Sequence, residues 1–150
     1  MKTLHFQAHI SAPREKVWRT MLDDATYRIW TEVFNPTGSY YVGDWNKGSK
    51  ILFVGPDKEG KKRGMVSMIE ENKPYEFLSI KHVGIIKDGI EDTTSDAIKG
   101  WTPAFENYTF KDVSGATELL IDVDTNDEYG ELFKGMWPKA LEKLKELAES

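Results

Sequence analysis

The sequence contains no cysteine, which excludes disulfides, thiol nucleophiles and cysteine-ligated zinc and agrees with a reducing compartment. It contains no apolar run near the roughly 18 consecutive residues that a membrane span needs. The opening MKTLHFQAHISAPREK turns polar before the apolar region of a secretory signal could form, so the expected location is the cytoplasm. A dense basic stripe is also missing. With 20 Lys and Arg against 25 Asp and Glu the formal charge is −5, the wrong sign for holding a phosphate backbone, and no nucleic-acid partner is expected. Internal repeats and low-complexity tracts are absent as well. What is present is enough for one globular domain over residues 1–150, because a chain of this length buries about two thirds of the surface that its unfolded form exposes.

Leu4, Phe6, Ala8 and Ile10 alternate with Thr3, His5, Gln7 and His9, the period of a half-buried strand. Ser11-Ala12-Pro13 ends it and starts a helix, with Ser11 expected as the cap and Pro13 in the first turn. Val17, Trp18, Met21 and Leu22 recur at helical spacing, and a second short helix opens at Asp24 and carries Tyr27 and Trp30. From residue 39 the pattern changes to short β-rich runs divided by turn residues. Six further strands are expected, at 39–45, 49–55, 63–71, 75–84, 103–111 and 116–124. Residues 87–100, KDGIEDTTSDAIKG, are too polar and too long for a hairpin turn and read as a functional or mobile loop. The chain ends in an amphipathic helix whose apolar face holds Phe133, Met136, Trp137, Ala140, Leu141, Leu144, Leu147 and Ala148. Thr125 and Glu128 are expected to form its capping box, and Pro138 to kink it near Gly135.

This order of elements buries its apolar faces most simply as an α+β helix-grip fold, a curved seven-stranded antiparallel sheet wrapped around the last helix. Five segments sharpen the match: ISAPREKVWRTMLDD with Trp30 beyond it, GSKILFVG, GMVSMIEENKPYEFLSIKH, GATELLIDVDT and GMWPKALEKLKELAE. Together they resemble the START-like (SRPBCC) superfamily, in the group related to the activator of heat-shock protein 90 ATPase. The resemblance implies a hydrophobic cavity between the sheet and the last helix, since relatives bind lipids, sterols, polyketides and other apolar molecules. It implies no shared chemistry and no cofactor.

Strand alternation names the lining. With Lys81 and Lys111 outward, Ile80 and His82 on one strand and Glu106, Tyr108 and Phe110 on another point inward. Phe53 on the sheet, Trp30 after the second helix, and Met136 and Trp137 on the last helix complete the expected ligand-binding set. His82, Glu106 and Tyr108 would then be polar groups in an apolar concavity, placed to orient a ligand or to bond one another. The leading expectation is a non-enzymatic binding protein for an apolar or amphipathic small molecule. Two alternatives stand beside it: a protein-interaction domain like the chaperone-ATPase activators, and a cyclase, hydratase or hydrolase using His82, Glu106 and Tyr108. Ser67, Ser79 and Thr109 carry no triad signature. His5 and His9, four apart on a strand, sit roughly 13 Å from each other and cannot share a metal. Asp122-x-Asp124-x-Asn126 lacks the glycine and the distal glutamate of a calcium loop, so no metal site is expected.

Overall fold

The computed structural model describes residues 1–150. Strand β1 (Lys2–Ile10) leads into helices α1 (Arg14–Leu22) and α2 (Asp24–Trp30) and a 3-10 turn at Glu32–Phe34. A meander follows: β2 (Tyr40–Gly43), β3 (Lys50–Pro56), β4 (Lys62–Lys73) and β5 (Phe77–Lys87). After it come β6 (Ile90–Asp92), a helical turn α3 (Asp96–Lys99), β7 (Ala104–Val113), β8 (Ala116–Thr125) and the long helix α4 (Asp127–Glu149). The sheet order is β1-β8-β7-β5-β4-β3-β2, every pairing is antiparallel, and β6 pairs with β5. This is the expected helix-grip architecture with one short strand added.

The alternation that defines the strands also builds the core. Leu4, Phe6 and Ala8 of β1 stand opposite Val123, Ile121 and Leu119 of β8, so one sheet face is apolar across neighbouring strands. Onto that face α4 presses Trp137, Ala140, Leu141, Leu144 and Ala148, all buried. The first helices close one end, where Trp18 meets Phe110 at 5.1 Å between ring centroids. The Trp30 indole donates to the Met21 carbonyl at 3.0 Å and satisfies its one polar atom inside the core.

Three local expectations are corrected. Residues 87–100 are not an open loop: β5 runs on to Lys87, β6 folds back on it, and α3 buries Ile98 to 1% exposure. Gly84 lets this segment approach, since a Cβ there would lie 2.3 Å from the Asp92 carbonyl oxygen. Ser11 does not cap α1. The helix starts after Pro13, whose carbonyl accepts from Lys16 and Val17, while the Ser11 amide donates to Glu149 at the far end of α4. The cap of α4 is Asn126, whose side chain accepts from the Tyr129 amide at 2.9 Å, because Thr125 is still a buried strand residue paired with Lys2. Pro138 lies inside the single helix α4.

Candidate functional site

Three central strands carry a line of polar side chains across the concave face. On β4, Ser67 stands opposite His82 of β5, and on β7 Glu106 stands opposite Ile80, so His82 and Glu106 are diagonal neighbours. Ser67 Oγ and His82 Nδ1 are 2.7 Å apart, and His82 Nε2 lies 3.2 Å from Glu106 Oε1. Two residues along the same strand, the Tyr108 hydroxyl donates to Glu106 Oε2. The result is a continuous chain, Ser67–His82–Glu106–Tyr108, embedded among hydrophobic groups.

The ends of this chain differ in access. Ser67 is wholly buried and Tyr108 is 2% exposed, whereas the Glu106 side chain keeps 22% of its surface and His82 keeps 11%. Of the four, the Glu106 side chain therefore keeps the most exposed surface, and the serine hydroxyl has none. Around it stand aromatic rings: Phe53 is 6.1 Å from the His82 ring and 6.2 Å from Tyr27, and Tyr108 is 6.2 Å from Trp137. Burial, and after it the negative charge of Glu106, push the phenols of Tyr27 and Tyr108 well above the usual tyrosine value. Both remain neutral hydroxyls at physiological pH.

The nine residues expected to line a site divide into two groups. His82, Glu106 and Tyr108 do converge, and half-buried Phe53 stands beside them with Ile80 opposite Glu106 on the neighbouring strand. Trp137 reaches the same region from α4, and Met136 is half-buried next to it in sequence. Phe110 and Trp30 pack elsewhere in the core, Phe110 on Trp18 at the closed end and Trp30 between Tyr27 and Trp137, while Ile80, Tyr108 and Trp137 are buried as fully as they are. Sequence reasoning missed Ser67 as a partner of His82, and Tyr27 as a ring close enough to feel Glu106. Alternation of Met65, Ser67 and Ile69 puts Ser67 on the inner face, which was the available signal.

Other polar residues have structural occupations. His5 Nδ1 contacts Asp122 at 2.5 Å and His9 Nδ1 contacts Glu118 at 3.1 Å, cross-strand pairs on the outer face of β1 and β8. The basic run from Lys58 is a hairpin tip, where Asp57 accepts from the Glu59 and Lys61 amides and from Arg63. Two open grooves lie on the outside. One of about 460 Å3 runs past Arg28, Thr37 and Tyr40, and one of about 730 Å3 lies between Ile29, Val33 and the Lys139 and Lys143 side of α4. No helix is long and apolar enough to cross a membrane.

Among curated proteins none matches the sequence. Solved structures do. A crystal structure of a Nitrosomonas europaea protein, 17% identical, superposes with a TM-score of 0.73 over 97% of this chain and 92% of that one. One from Rhodobacter sphaeroides, 21% identical, gives 0.73 over 97% and 91%. A solution structure from Cytophaga hutchinsonii, also 21% identical, gives 0.72 over 99% and 94%. At these identities the likeness is one of fold. The family model described as Activator of Hsp90 ATPase homolog 1-like protein matches residues 11–149. On that match, with a START-type helix-grip fold beneath it, the chain belongs to the Activator of Hsp90 ATPase homolog 1-like family.

Proposed function

We propose that the protein is a cytoplasmic binding protein for an amphipathic small molecule. The ligand's apolar body lies between the concave sheet face and the first turns of α4, with its polar end at Glu106. The observation that carries this reading is Glu106, its carboxylate held by His82 and Tyr108 beside aromatic groups and its side chain still part-exposed where Ser67 and Tyr108 are buried. A mostly apolar concavity with a few convergent polar groups is the usual form of a small-molecule site. Along α4, Tyr129, Leu132, Phe133 and Met136 follow i, i+3, i+4, i+7 spacing, and Tyr129 and Leu132 are about half exposed, an apolar rim for entry.

Hydrolysis by a serine nucleophile is disfavoured on geometry. Ser67 meets His82 as a serine nucleophile meets its base, but it has no exposed surface, so no acyl carbon can approach it. The family's name raises a protein-docking role, for which the exposed pair Tyr129 and Leu132 on α4 is one apolar surface. Native mass spectrometry of gently purified protein separates the two readings. A defined small-molecule adduct that is released on denaturation and lost in His82→Ala is the expected result. A clean apo mass together with tight, Tyr129-dependent binding to a chaperone would replace this reading with the docking role.

A further inference from the structure

We propose that the polar end recognised at the concave face is a hydrogen-bond-donating cation, a protonated primary or secondary amine on an aromatic or alkyl body. This rests on the small-molecule reading above and names the chemical class of the ligand.

The first argument is charge. On their shared face Glu106 is surrounded by Ser67, Ile80, His82, Ala104, Tyr108 and Val123, none of them lysine or arginine. Its one ion-pair geometry is with His82. His82 meets the buried Ser67 hydroxyl through Nδ1 and faces Glu106 through Nε2. No permanently charged side chain therefore stands against the carboxylate.

The second argument is hydrogen-bond capacity. An ionised carboxylate has about four acceptor positions. His82 and Tyr108 occupy one on each oxygen, and in doing so commit their own protons. What Glu106 itself still offers a ligand is acceptors only, and a carboxylate or phosphate would meet repulsion there; the nearby unpaired donor is the buried Trp45 indole, whose ring centroid is 5.7 Å from that of Phe53. An ammonium group supplies the donors and the opposite charge, and charge-assisted bonds of this kind are about twice as strong as neutral ones. The third argument is the wall. Phe53 beside His82 and Tyr27 beside Phe53 put aromatic rings in this region, and such rings favour a cation within about 6 Å of their face.

Calorimetric titration with three probes of one skeleton tests this: 4-phenylbutylamine, 4-phenylbutan-1-ol and 4-phenylbutyrate, at pH 7. The expected result is that the amine binds at least about tenfold more tightly than the alcohol, the acid binds weakest, and Glu106→Gln brings the amine down to the alcohol's affinity. The tryptophan near-ultraviolet circular dichroism of the variant reports its folding, and the comparison of probes on the unmodified protein stands without it. Equal binding of amine and alcohol, a preference for the acid, or an amine preference that survives in folded Glu106→Gln would overturn the ammonium assignment while keeping the concave-face site. No heat from any of the three would overturn the site reading on which it rests.

Discussion

Tyr108 keeps its proton first because burial disfavours its charged form and then because ionising it would place a second negative charge against Glu106, and Tyr27 is held neutral for the same two reasons. This makes stability depend on alkaline pH. In the unfolded chain a phenol ionises near pH 10, whereas these two stay protonated in the fold above that value. Their contribution is therefore complete below about pH 10 and is lost as pH rises beyond it, because only the unfolded state releases the protons. A tyrosinate absorbance titration should show Tyr27 and Tyr108 ionising together with unfolding. Smooth titration of all six tyrosines with the fold intact would contradict this. At the same scale, His82, Glu106 and Tyr108 were legible from the sequence because lysines at 81 and 111 mark the outer face and alternation does the rest. The Ser67–His82 pairing was not. Register shifts at Val66/Ser67 and Ile69/Glu71 break the count between β4 and β5, so the residue opposite His82 cannot be found by stepping back from the hairpin.

Among the elements, the long strands and α4 announce themselves by period, and the short pieces do not. Strand β6 is three residues with one hydrophobe, Ile90, which is 71% exposed, and α3 is a single turn anchored by Ile98. Neither is long enough to show a period. What holds them is tertiary: pairing to β5, and Asp92 accepting from Ser95. The start of α4 shows a different ambiguity, since Thr125 and Asn126 are both good caps. The strand settles it by keeping Thr125 inside the ladder for one residue more. Asn126→Ala is accordingly expected to cost about 1 kcal/mol in urea unfolding, through the lost bond to the Tyr129 amide. An unchanged midpoint would show that the cap contributes nothing to the grip of α4.

In the whole molecule, the sheet order puts β5 and β7 at the middle of the curve and α4 across its hollow, so the most constrained positions are also where the polar chain lies. Burying such groups is costly unless each finds a partner, and here each does. The architecture was readable because the curved sheet and one amphipathic helix leave few ways to cover their apolar faces. That only Glu106, Phe53 and Met136 of the expected lining stay part-exposed while Ile80, Tyr108, Phe110 and Trp137 are packed was not, since alternation gives a side chain's face but not its depth along the hollow. The outer grooves beside Thr37 and Lys139 offer rival locations for a ligand. Amide chemical-shift mapping during titration with the neutral 4-phenylbutan-1-ol separates them most directly. The account predicts shifts concentrated at Phe53, Ile80, His82, Glu106 and Met136. Shifts confined to Arg28, Thr37, Lys139 and Lys143, or none at saturating probe, would contradict it.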